Sequence, residues 1–206
     1  MHESTITIPD EAPVMFLPNA ILFPHALLPL YIFEEKYRTM LRHCLEHGRM
    51  FCIALAKPDV SEVAGPGDYH HVGCIGLIRA CVGNEDGTSN LILQGLQRVR
   101  FGACKQARPF RILKLAELKS EMPNQIESEA LGAKVVELCR QLKQKGVELP
   151  AALEKHIELI SHPGVLSDVI AHAFIEEPET RLRLLEERSV SERLRLLIGE
   201  LSQMAN

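Results

Sequence analysis

The stretch that decides the reading is Leu17-Pro18-Asn19-Ala20-Ile21-Leu22-Phe23-Pro24-His25-Ala26-Leu27-Leu28-Pro29-Leu30-Tyr31-Ile32-Phe33-Glu34. It is apolar almost throughout, yet Pro18, Pro24 and Pro29 interrupt it every few residues. Proline lacks the N–H a helix interior or a central strand requires, so the segment reads as short strands and turns with at least one sheet edge. The apolar run 14–17 precedes it, and the run 28–33 closes it. Immediately after, the period changes. From about Glu34 to His47, Tyr37, Met40, Leu41, Cys44 and Leu45 fall on one face of a helix, and Gly48 stands where a left-handed cap ends it.

Downstream, strand patterns dominate. Residues 50–56 are apolar at every position, which predicts a strand buried on both faces. A Gly/Pro-rich loop over 64–68 leads into a strand from about Tyr69 to Val82. Asp86-Gly87 then supplies the positive φ of a tight hairpin turn. In the returning segment 88–104, Leu91, Leu93, Val99 and Phe101 share one parity and Gln94, Arg98 and Arg100 the other. Gly95 marks a bulge or bend. With a further strand over 110–118, five or six antiparallel strands and one early helix suggest a small, partly closed barrel.

Near Glu121-Met122-Pro123-Asn124 the character changes again. Leu131, Val135, Leu138 and Leu142 repeat at helical spacing between about Glu127 and Lys145, with Gly146 as cap. Shorter helices are expected over 151–160 and 165–175, and Pro178 suits the first turn of another. Ser189-Val190-Ser191-Glu192 has the form of a capping box opening a last helix that carries Leu194, Leu197, Ile198, Leu201 and Met204. The expected organisation is α+β: a β-rich unit over residues 12–120 and an α-helical unit over 121–206.

Composition sets further bounds. Of 206 residues 46% are apolar and 24% charged, the balance of a folded globular chain rather than a disordered one. The net charge of −4 argues against a protein that grips phosphate backbones. No apolar run is long enough for a membrane span, and the first residues lack the form of an export signal, so a cytoplasmic protein is expected. The six cysteines, at 44, 52, 74, 81, 104 and 139, lie in apolar segments with no C-x-x-C pair, and read as reduced, buried core thiols.

The opening stretch resembles the start of the N-terminal, substrate-binding domain family of Lon proteases, where an "LP…LFP…LPL.IFE" strand–loop–strand runs into a helix. Tyr37-Arg38-Thr39-Met40 resembles the family's helix start, and the segment from Asp86 to Phe101 resembles its "G…..L.G..R..I" hairpin strand. Leu166-Ser167-Asp168-Val169-Ile170-Ala171 and Leu184-Leu185-Glu186 resemble parts of its helical half. The resemblance spans roughly residues 13–205. It implies a PUA-like antiparallel pseudo-barrel followed by a C-terminal helical bundle, and a role in recognising polypeptide without catalysis. The chain contains no G-x-x-x-x-G-K-[ST] phosphate cradle. A stand-alone, non-ATPase recognition module is therefore expected, with no cofactor, whose partners are polypeptide segments met across apolar surface between barrel and bundle.

Four constellations have residue types suited to other chemistry. His43-Cys44-Leu45-Glu46-His47 fits H-x-x-E-H, in which two histidines share a zinc ion and Glu46 serves as base. The helical wheel places His43, Glu46 and His47 opposite the core-facing residues, as a solvated face does. Cys44 beside two histidines has the letters of a thiol nucleophile, but a core position explains them equally and no orienting acid is evident. His70 and His71 are adjacent in a strand and so point to opposite faces. Arg98 and Arg100, sharing a strand face, are the only binding candidates singled out. They would serve an RNA-binding alternative, against which stand the acidic balance and the absence of interleaved aromatic residues.

Overall fold

A computed structural model describes residues 6–121, 124–147 and 157–205. Two compact units emerge. One comprises the chain up to Leu22 together with Leu27–Leu118, and the other Phe23–Ala26 together with Lys119 onward.

The first unit contains six strands: β1 (Glu11–Leu17), β2 (Leu27–Ile32), β3 (Met50–Ala56), β4 (Tyr69–Gly83), β5 (Ser89–Gln106) and β6 (Arg111–Glu117). Helix α1 (Glu35–Glu46) lies between β2 and β3 in sequence. The sheet order is β2-β5-β4-β3-β1-β6, and an additional β5–β6 pairing closes β1, β3, β4, β5 and β6 into a ring. The 18-residue β5 makes closure possible: its first half pairs with β2 and its second half with β6 along the same side, while β4 occupies the other. This is the expected pseudo-barrel with one correction: the sheet is mixed, because β1 and β3 run parallel from Val14↔Cys52 to Leu17↔Leu55. A parallel pair needs a long crossover, and the segment carrying β2 and α1 provides it.

The strand faces follow the apolar pattern. In β3, Phe51 and Ile53 join a cluster with Met40, Leu41, Tyr37 and Cys44 of α1, while Cys52 and Ala54 face the barrel interior with Val14, Ile75, Val99, Phe101 and Leu113. Both faces of β3 are therefore buried, as its unbroken apolar run requires. Gly48, at φ +80°, ends α1 in the left-handed region where only glycine is unstrained. Around Gly95 the β4–β5 register slips by one residue, Ile75 facing Gln97 but Gly76 facing Gly95. The predicted bulge is real.

The second unit contains α2 (Gln125–Gln144), α3 (Pro163–Phe174), α4 (Pro178–Glu186) and α5 (Val190–Met204). Asn124 caps α2 by accepting from Ile126 N–H, and prolines occupy the first turns of α3 and α4. The last cap is half of the expected box. Ser189 Oγ accepts from Glu192 N–H at 3.3 Å, but the Ser189 N–H donates to Glu187, and the Glu192 carboxylate instead pairs with Arg195. Leu194, Leu197 and Leu201 of α5 are buried, as are Val135, Leu138 and Leu142 of α2 and Leu166 and Ile170 of α3. Most of the expected 151–160 helix lies outside the described residues; Ile157–Leu159 form a 3-10 turn.

One departure concerns Phe23–Ala26, which groups with the helices. Phe23 is fully buried, with the Arg181 guanidinium 5.5 Å from its ring centroid. Arg181 also donates to the carbonyl of Ile175 at 2.8 Å, covering the C-terminal end of α3. Its remaining methylene surface explains how a tetrapeptide from the strand region finds an apolar seat there.

Candidate functional site

The outer face of β2, β5 and β4 is apolar and exposed. The pairing registers place Tyr31, Asn90 and Val82 in one row across the three strands, Pro29, Ile92 and Ala80 in the next, and Leu27, Gln94 and Leu77 in a third. Leu27 is 54% exposed, Tyr31 53% and Val82 66%, and Phe33, just past β2, is 60% exposed with its ring stacked on Tyr31 at 5.9 Å. Side chains alternate along β2: Leu28, Leu30 and Ile32 turn inward to the α1 cluster, leaving Leu27, Pro29 and Tyr31 outside. Single exposed apolar residues need no explanation, but a contiguous patch on three neighbouring strands is a candidate binding surface. Polar groups are sparse within it: Asn90, and Gln94, which accepts from Arg79 Nε.

A second concavity of about 960 Å³ opens where β6 leaves β1 after Val14↔Arg111. Its walls include Phe16, Leu17, Tyr37, Val60, Phe110 and Arg111. The Tyr37 hydroxyl occupies the freed edge of β1, accepting from Phe16 N–H at 3.1 Å and donating to Phe16 C=O at 3.0 Å. It thus satisfies both backbone groups that a neighbouring strand would otherwise take. Arg111 holds one wall by donating to the carbonyls of Val63 (2.9 Å) and Ala64 (2.7 Å).

The residues singled out in the sequence are placed as follows. His43 and His47 stack face to face, ring centroids 4.3 Å apart and planes 18° from parallel, and His47 Nδ1 donates to the His43 carbonyl at 2.8 Å. A zinc ion sits in the ring plane of each ligating imidazole, about 2.0–2.1 Å from its nitrogen. Two stacked rings do not offer such a point. Among the described residues no group of three or more His, Cys, Asp and Glu could hold a metal. His70 and His71 project on opposite sides of β4, as expected, with His70 half-buried and His71 exposed. Cys44 is buried, and burial pushes its thiol up to about 12, so it does not supply a thiolate at neutral pH.

The arginine pair is split. Arg100 is exposed, but Arg98 is only 2% exposed. With Val99 also buried, both faces of the strand are covered at 98–99, which alternation alone does not reveal. The cysteines also need correction. All six are free, and 44, 52, 74 and 139 are buried, but Cys81 is half-buried and Cys104 exposed on the frayed end of β5. A disulfide-exchange reagent at pH 8 is expected to modify Cys104 first. Cys44, Cys52, Cys74 and Cys139 should react only after unfolding, which quantitative thiol titration with and without urea will resolve. Fast reaction of all six in the native protein would contradict these burials.

Strand, helix and surface together define a PUA-like barrel with a helical unit and an apolar face. Comparison with known proteins makes this specific. Residues 11–203 match the substrate-binding domain of the ATP-dependent protease La (LON) family, and the chain belongs to that family. It is 27% identical over 95% of its length to Lon protease 2 of Myxococcus xanthus and 28% identical over 93% to the Lon protease of Azospirillum brasilense, in each case covering 24% of the relative. The chain thus spans about a quarter of the length of these curated relatives. Among solved structures, the N-terminal domain of Mycobacterium avium complex Lon protease superposes with a TM-score of 0.74 at 22% identity, covering 93% of this chain and 98% of that one. This last likeness is one of fold. No helix of the described residues is long and apolar enough to cross a membrane.

Proposed function

We propose that this chain is a non-catalytic module that binds exposed apolar segments of polypeptides, in a cytoplasmic setting where its free thiols stay reduced, and acts as an adaptor. The observation that carries the reading is the apolar outer face of β2, β5 and β4, with Tyr31 and Phe33 as a stacked aromatic pair at its edge. Aromatic side chains present large rigid surface at low entropic cost and dominate binding energetics. Membership of a family described as substrate-binding supports it. The stacked histidines and the buried, protonated Cys44 give no support to a peptidase reading. With Arg98 buried, β5 does not present the paired arginines that an RNA-binding surface was expected to use.

The test uses reduced, carboxymethylated α-lactalbumin, which remains unfolded, followed by fluorescence anisotropy. Replacing Tyr31 and Phe33 together by serine is expected to weaken binding about tenfold or more, since each aromatic anchor contributes about 1–2 kcal/mol. Raising salt should change the wild-type affinity little, because apolar burial is barely screened. Unchanged affinity in the double variant, with its circular dichroism intact, would move the binding surface elsewhere.

A further inference from the structure

The strand that carries the aromatic pair also has an unused backbone edge. β2 pairs with β5 along its whole length, and no other strand of the described residues pairs with it. An edge strand presents unpaired N–H and C=O groups that template another chain. Proteins usually blunt such edges with charge; here the outward side chains are Leu27, Pro29 and Tyr31, followed by Phe33. A backbone edge without a strand partner and apolar side chains therefore lie side by side.

We propose that an extended polypeptide segment adds to the free edge of β2 as a seventh strand, its outward side chains continuing the row of Leu27, Pro29 and Tyr31. This rests on the polypeptide-binding reading above and specifies its geometry. Size selects the occupant. Six residues of strand are about 20 Å long, and three strands plus an added one span about 15 Å. The product, about 300 Å², falls well below the roughly 800 Å² per partner that a stable protein pair buries. A single extended segment of about six residues fits; a second folded copy does not. Pro29 sets a further limit. It has no N–H, so the middle of the strand has one donor fewer to share between its two sides, and prolines of this kind keep an edge from pairing indefinitely.

Strand addition makes a prediction that docking on the face does not. A strand held by one edge uses the N–H groups of alternate residues only. The probe is an acetylated, amidated heptapeptide of alternating valine and threonine between terminal lysines, N-methylated singly at each internal position, with the unfolded α-lactalbumin as a parallel arm. Methylation at one parity is expected to weaken peptide binding about tenfold and at the other parity to leave it unchanged. Peptide binding indifferent to methylation, or binding of α-lactalbumin without the peptide, overturns strand addition while leaving polypeptide recognition standing. If neither probe binds, the functional reading itself falls, and strand addition with it.

Discussion

Replacing Asp168 by alanine is expected to lower the unfolding free energy of the helical unit by about 3–5 kcal/mol, the cost of leaving a buried charge without its partner. Arg193 and Asp168 are 1% and 3% exposed, with Arg193 Nη1 3.8 Å from Asp168 Oδ1. That is ion-pair distance rather than hydrogen-bond distance. Arg193 Nη2 donates to Ser120 Oγ at 3.1 Å, and Ser167 Oγ donates to the Gly164 carbonyl at 2.8 Å beside the pair. Arg193→Met alone should cost a similar amount, because it removes the cation that faces the buried carboxylate. The combination Asp168→Leu with Arg193→Met should recover much of the loss, since a buried pair and an apolar pair of similar volume often differ little. Urea denaturation followed by far-ultraviolet circular dichroism will decide. Single replacements costing under about 1 kcal/mol would show that the two charges are not isolated from water.

The barrel has an equally sharp test. A methyl group at Gly73 of β4 would lie 2.3 Å from the Ile53 carbonyl oxygen and 2.6 Å from the Phe101 ring. The ring can turn, but the carbonyl belongs to β3 and sits in the β3–β4 ladder, where Ala54 faces Gly73. Gly73→Ala is expected to destabilise the barrel by about 3 kcal/mol, the upper end of what overpacking costs, or more. Gly83→Ala, at the open end of the same strand, meets nothing closer than Ser89 Oγ at 4.0 Å and should be nearly neutral. Equal melting temperatures for the two variants would contradict the close approach at Gly73.

Much of this fold was legible because proline and period mark its elements independently. Pro18, Pro24 and Pro29 excluded a helix from the opening stretch, and Asp86-Gly87 located the β4–β5 hairpin, whose turn Gly87 takes at φ +80°. Direction was less legible. An apolar tetrapeptide such as Val14–Leu17 has no feature that distinguishes a parallel neighbour from an antiparallel one, so the β1–β3 pairing surfaced only in three dimensions. Arg98 was misplaced because alternation assigns it a face but does not say whether that face is covered. The prolines marked 27–33 as an edge strand, but both of its parities are apolar, so nothing in the pattern set Tyr31 and Phe33 apart from Leu28, Leu30 and Ile32, which turn inward.

The ring closes between its first strand and its last. β1 finds its antiparallel neighbour at Glu11↔Lys114, about a hundred residues away. On a translating ribosome, at about 5–20 residues per second, that separation is roughly 5–20 s of waiting. For that interval the nascent chain carries Ala12, Pro13 and Val14 without the β6 residues that later pair with them, while β3 and α1 have already emerged. Tyr37, whose hydroxyl takes both backbone groups of Phe16, is among the residues available early. The same clasp that trims a strand edge in the finished barrel is thus in position to shelter the Phe16 end of β1 from pairing with other chains before the ring is complete.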